Sequence, residues 1–176
     1  MKTPVFSSAA MFPVEHWTWP NFTPAEMASH DGPLMIDTDA MNCLQTLRTT
    51  LGQPMHILSA YRTPDHNAAV GGAPASKHME AIAFDVSMQG HDPHEFISLA
   101  RACGFRGIGQ YPGKNFVHID TRPEPAEWND GANFPFGEDD PTYRTVPVET
   151  PAPAPEYGKV RIARGRRTFS RVKARA

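Results

Sequence analysis

Two histidines and an aspartate carry the first chemical signal in this sequence. His78 and Asp85 stand seven positions apart in Ser76-Lys77-His78-Met79-Glu80-Ala81-Ile82-Ala83-Phe84-Asp85, and His118 follows in Phe116-Val117-His118-Ile119-Asp120. A histidine and a carboxylate at that interval mean little alone; the setting adds the content. The stretch before His78 is a run of small residues with Gly71, Gly72 and Pro74, whereas Asp85 is embedded among Ala81, Ile82, Ala83, Phe84 and Val86. A carboxylate on so apolar a stretch risks burial, and a buried charge must be paired or bound to a metal. Two imidazoles and one carboxylate supply three of zinc's four tetrahedral positions. Water takes the fourth, the pattern of a catalytic rather than a structural site. Such a site lowers the pKa of the bound water towards about 7 and polarises a carbonyl.

Alternation along residues 116–120 puts Phe116, His118 and Asp120 on one face of a strand and Val117 and Ile119 on the other. The apolar pair is expected to face the core and the polar pair a cleft. Arg62 lies in Ser59-Ala60-Tyr61-Arg62-Thr63-Pro64, and a fixed guanidinium suits a carboxylate or a developing negative charge. Pairing of Arg62 with Asp65 or Asp85 is the plainer alternative. Tyr111 either donates to a substrate backbone or packs within a hairpin. His91 and His94 read as surface residues, and His16, His30 and His56 lack ligand-like neighbours.

These segments resemble a known family. Ser76-x-His78-x-x-Ala81-x-Ala83-x-Asp85 resembles the SxHxxGxAxD motif of the zinc D-alanyl-D-alanine carboxypeptidases and the related murein endopeptidases and phage endolysins, peptidase family M15. Gly107-Ile108-Gly109-x-Tyr111-Pro112, followed by Phe116 to Arg122, is similar to the second half of that signature, and Ser59 to Pro64 with Asn67 to its upstream segment. The resemblance spans roughly residues 17–123. It implies Zn2+ on His78, Asp85 and His118, with Arg62 binding substrate or steadying the oxyanion and Ser76 in a supporting or substrate-binding place. It also implies cleavage of peptide bonds in bacterial peptidoglycan, of D,D-carboxypeptidase or endopeptidase type.

Two positions depart from the family pattern. Ala81 stands where the motif usually has glycine, which puts close packing near the metal in question. Asn115 stands three residues before His118, where many members place an acidic general base; an amide cannot take that proton. Asp120 is the best substitute as base, or else it only orients a ligand imidazole. Glu80 and His66 are weaker substitutes. The rival function is a zinc-stabilised, non-catalytic structural or binding module of a phage particle.

The elements that must position these residues follow from local signals. Thr23-Pro24-Ala25-Glu26 has the form of a capping box with proline in the first turn. Asp37 to Leu51 has helical spacing of Met41, Leu44, Leu47 and Leu51, stopped by Gly52. Met55–Ala60 and Ala81–Met88 read as strands. Asp92-Pro93 opens a helix whose Phe96, Leu99, Ala100 and Cys103 share a face, and Ile108–Tyr111 with Asn115–Asp120 form a hairpin around Pro112-Gly113. Helices packed on an antiparallel sheet make an α+β domain, and the resemblance implies a hedgehog/DD-peptidase-like arrangement of it.

The expected layout is a flexible N-terminus over 1–13, the catalytic-type domain over 14–130, an irregular Pro-rich linker over 131–157 and a basic tail over 158–176. Residues 1–155 hold 18 acidic and nine basic side chains, while residues 156–176 hold one acid and eight bases. A basic tail on an acidic body suits a polyanion or an acidic protein surface. Cys43 and Cys103, 60 positions apart, read as buried free thiols rather than a disulfide framework. No apolar run approaches the roughly 18 residues of a membrane span, and Met1 to Phe12 makes a poor secretory signal. The expected setting is synthesis in the cytoplasm and action on the cell wall, as in a phage lysin or a virion-associated hydrolase.

Overall fold

The computed structural model describes residues 1–135. The basic tail, and the linker beyond residue 135, lie outside the described residues. The chain starts with two short 3-10 turns, Ala9–Met11 and Val14–His16, and then helix α1, Pro24–Met27. The capping box forms as read: Thr23 Oγ1 accepts from the Glu26 amide, and Glu26 Oε2 accepts from the Thr23 amide. Helix α2, Thr38–Leu51, is capped by Asp37, which accepts from the amides of Asp39 and Ala40, and ends at Gly52 in the left-handed region. Helix α3, Pro64–Ala69, follows strand β1, Ile57–Ser59. The Thr63-Pro64 pair repeats the Thr23-Pro24 signal, and Thr63 Oγ1 accepts from the His66 amide.

Strand β2, Ala83–Ser87, leads through helix α4, Pro93–Ala102, into β3, Gly107–Tyr111; a 3-10 turn over Pro112–Lys114 returns the chain as β4, Phe116–Asp120, before β5, Ala126–Asn129. The strand order is β1-β2-β4-β3-β5, antiparallel throughout except that β5 runs parallel to β3. The two faces of this sheet differ completely. Phe84, Val86, Ile108, Val117 and Ile119 are buried in one cluster with Met41, Leu44 and Leu47 of α2 and Phe96, Ile97 and Ala100 of α4. The opposite face carries one row across all five strands: Ser59, Asp85, His118, Gly109 and Trp128 stand side by side in register.

Two expectations need correction. Met1 to Pro13 was expected to be flexible, but Lys2 bridges to Asp37, Phe6 bridges to Leu34, and Phe12 is buried in the core beside Trp19 and Phe22. No local periodicity announces this order, because it comes from main-chain pairing with residues 34–37. The core also reaches past the expected boundary at 130: Phe134 is buried, and its amide donates to Gln110 Oε1.

Candidate metal centre

His78 enters the site from a 3-10 turn, Lys77–Glu80, that follows the small-residue loop. Its Nδ1 lies 2.6 Å from the carbonyl oxygen of Ala60. A carbonyl only accepts, so Nδ1 carries the proton and Nε2 is left with a bare lone pair. His118 on β4 is fixed the other way round. Its Nε2 is 3.0 Å from Asp120 Oδ2, which places that proton on Nε2 and leaves Nδ1 bare.

The two bare nitrogens meet a carboxylate oxygen. His78 Nε2 is 3.1 Å from His118 Nδ1 and 3.2 Å from Asp85 Oδ1, and His118 Nδ1 is 2.9 Å from the same Oδ1. Three electron-rich atoms held this close, on side chains that are all buried, repel one another unless something positive lies among them. A proton is the minimal answer and a metal ion the fuller one. The titration behaviour agrees. Burial pushes the His78 pKa down. Burial also acts to lower the His118 pKa, but the hydrogen bonds to Asp120 and Asp85 outweigh it and the pKa rises. The extra carboxylate, Asp120, makes the difference between the two imidazoles.

The carboxylates are themselves held from behind. Arg62 Nη2 lies 2.5 Å from Asp85 Oδ2, and Arg62 Nε donates to Ser59 Oγ at 2.8 Å. Burial acts to raise the Asp85 pKa, yet its hydrogen bonds with His118 and His78 keep it well below the usual carboxylate range. Asp120 is fully enclosed, at 0% exposure. Its Oδ1 accepts from the Arg122 amide and Nε, and its Oδ2 accepts from Arg122 Nη2 and His118. Against the cost of burial, these bonds hold Asp120 ionised, Arg122 contributing most. The expectation that Asp120 faces a cleft is therefore corrected. It shares a strand face with His118 but sits beneath the ring, across it from Asp85. The space is provided by Gly107, where a Cβ would lie 2.2 Å from Asp120 Oδ2.

Trp128 on β5 is a site residue that sequence reasoning missed. Its ring centroid is 5.2 Å from that of His118, the Arg122 guanidinium lies 4.8 Å over the ring, and its Nε1 donates to the Tyr111 hydroxyl at 2.8 Å. A Cβ on Gly109 would fall 2.6 Å from this indole. Gly107-Ile108-Gly109 is thus a strand stripped of side chains on one face to admit a carboxylate and an aromatic ring, and that spacing was the available signal.

The triangle lies in an open cleft of about 600 Å3 that Arg62, Ser76, Tyr111, Phe116 and Trp128 also line. The two departures from the family pattern share a backbone feature. Ala81 has φ +58° and Asn115 φ +53°, both in the left-handed region. Glycine at position 81 relieves backbone strain, and asparagine at 115 suits a left-handed turn end. Asn115 is exposed and is not among the residues that line the cleft. Of the weaker base candidates, Glu80 pairs with Lys77 and Lys2, and His66 packs against His30 with ring centroids 5.4 Å apart; neither lines the cleft. The cysteines are free, Cys103 buried and Cys43 partly so, and burial pushes the Cys43 thiol up to about 11, far from a nucleophile's range. No helix among the described residues is long and apolar enough to cross a membrane.

Comparison with known proteins adds to this geometry. The family model described as peptidase M15 matches residues 20–120. The peptidoglycan L,D-endopeptidase MepK of Escherichia coli (strain K12) is 34% identical over 95 residues, covering 50% of this chain and 52% of that protein. The probable peptidoglycan L,D-endopeptidase MepK of Haemophilus influenzae is 28% identical over 96 residues, with the same shares covered. The chain spans about half the length of the curated relatives it matches.

Proposed function

Since this chain belongs to the peptidase M15 family, we propose that it is a zinc-dependent peptidase that cuts peptide bonds in bacterial peptidoglycan. The observation that carries the reading is the convergence of three potential donor atoms, His78 Nε2, His118 Nδ1 and Asp85 Oδ1, on one point at the floor of a cleft. The donor set fits zinc. Tetrahedral ligands at the usual zinc–nitrogen bond length of about 2.0–2.1 Å stand roughly 3.3–3.4 Å apart, and the edges of 2.9–3.2 Å need open by only a few tenths of an ångström.

Bound zinc would supply a Lewis acid for the scissile carbonyl and a water of lowered pKa. The protein's own groups do the rest. Ala60 and Asp120 hold the two imidazoles in the tautomers a metal requires. Arg62 takes the second oxygen of Asp85, so that Oδ1 points inward, and its remaining N–H groups are available to a substrate oxygen. The Tyr111 hydroxyl accepts from Trp128, which leaves its own proton free for a substrate carbonyl. Asp120 acts as an orienting group rather than the base, because its oxygens are committed to Arg122 and His118.

The relatives are named L,D-endopeptidases, which favours an L,D bond over the D,D type that the motif resemblance implies. A phage or virion setting rests on that resemblance alone. Digestion of purified muropeptides, read by mass spectrometry with and without chelator, tests activity and bond choice together. Cleavage that stops with chelator and returns with zinc supports the reading; a zinc-loaded, folded protein that leaves every muropeptide intact ends it. That second result would favour a zinc-stabilised, non-catalytic module. One observation already leans that way: Asp85 is the single carboxylate among the described residues lining the cleft, so none is left over to serve as base.

A further inference from the structure

We infer that Lys114 selects ligands carrying a free carboxylate, so that the peptide this cleft takes is an anionic one. Its ligand class rests on the peptidase reading above. Four cationic side chains line the cleft, Arg62, Lys77, Lys114 and Arg122, against the single carboxylate of Asp85. Three of the four are spoken for: Arg62 pairs with Asp85, Lys77 with Glu80 at 2.6 Å, and Arg122 with Asp120. Lys114, on the turn between β3 and β4, has no carboxylate within ion-pair reach among the described residues. Its ammonium lies 5.8 Å over the Tyr111 ring.

That ring is a firm base. Tyr111 stacks on Phe116 with centroids 4.4 Å apart and planes 12° from parallel, and Trp128 holds its hydroxyl. The ammonium thus stands over a braced wall of the cleft, with no carboxylate paired to it among the described residues. The surrounding body has the opposite sign, with fourteen acidic and eight basic side chains in residues 1–135. A positive concavity in a negative body draws an anion inward and keeps it there. Lysine is a point charge on a flexible stem, suited to a single carboxylate rather than to a planar, two-point contact.

The test uses a peptidoglycan stem tripeptide and versions of it with each free carboxylate converted in turn to a carboxamide. Binding to the zinc-loaded protein is measured by calorimetry. One particular conversion is expected to weaken binding about tenfold, the order of one charge-assisted contact. Lys114→Gln should weaken the parent peptide by the same factor and make it equal to that carboxamide, and Lys114→Glu should reverse the preference. Lys114 is exposed on its turn, so either variant is expected to keep the fold, which a urea denaturation curve checks. Equal binding of acid and all carboxamides by the wild type, or a preference that survives in Lys114→Gln, overturns the inference. A preference that depends on Lys114 without any muropeptide cleavage would sink the peptidase reading alone, whereas cleavage indifferent to amidation would sink this inference alone.

Discussion

Strand β4 presents the protein's two chemistries on opposite sides of one ribbon. Val117 and Ile119 point into the core at 0% exposure, while His118 and Asp120 point away from it and are scarcely more exposed, at 8% and 0%. Burial alone does not distinguish the faces; how each is satisfied does. Core side chains are stabilised by contact with many neighbours of no fixed direction. The site side chains are held by a few directed bonds, each naming one atom of one partner. The core face should therefore lose stability in proportion to volume removed, and the site face should lose function in proportion to direction lost.

Breaking the site face outright gives the largest effect. His118→Ala removes one corner of the triangle and should cost activity on the order of 1000-fold, the worth of several kcal/mol of transition-state stabilisation, with metal retention by elemental analysis falling in parallel. Ile119→Ala, one residue along, should instead destabilise the fold by about 2–4 kcal/mol, read by urea denaturation, while folded protein keeps its zinc affinity. If the two variants could not be told apart by these two measurements, the separation of faces would be wrong. Asp120→Asn sharpens the contrast. It keeps the volume but weakens the grip on His118 Nε2, and should reduce metal affinity about 10–100-fold with a smaller loss in urea midpoint than Ile119→Ala.

Acid sets metal and proton in competition for the same triangle. His118 holds its proton to higher pH than an ordinary histidine, so zinc affinity should begin to fall at a higher pH than an unperturbed imidazole dictates. The expected slope is about tenfold per pH unit for each proton displaced, followed by titration with a fluorescent zinc chelator. The sign reverses in metal-free protein. A raised folded-state pKa contributes stability that is present below the unfolded value and lost as pH rises through the folded one. Metal-free protein should therefore lose this contribution as pH rises above the ordinary histidine range, where zinc-loaded protein gains. The smallest effect is expected at Ala81, where replacement by glycine relieves a left-handed backbone and should stabilise by about 0.5–1 kcal/mol net of the entropy glycine adds to the unfolded chain.

Much of this arrangement was legible from local pattern. Helices α2 and α4 and the β3–β4 hairpin follow from period, capping and turn signals, because each is decided within about a dozen residues, whereas the grouping of His78, Asp85 and His118 was expected from the residue types and from the family resemblance across three separate segments. What was not legible is decided from a distance. Pairing of Lys2 and Phe6 with residues 34–37 leaves no periodic trace. β5 lies in a polar stretch between prolines and becomes a strand only by lying beside β3. Asp120 reads as cleft-facing from alternation, since alternation fixes a face but not a depth, and only the bare Gly107 opposite and the Arg122 fork reveal that it is covered. Asn115 drew attention as a missing base, yet its place at a left-handed turn end, away from the cleft, accounts for the residue found there.

His78 is steadied by the main-chain carbonyl of Ala60, whereas His118 is steadied by a side chain. No single substitution can delete a carbonyl, so the orientation of His78 is insulated from genetic drift as long as the backbone keeps its path. The second is adjustable. Descendants of this sequence that retune the strength of the centre without dismantling it have one accessible dial, the Asp120–Arg122 pair behind His118.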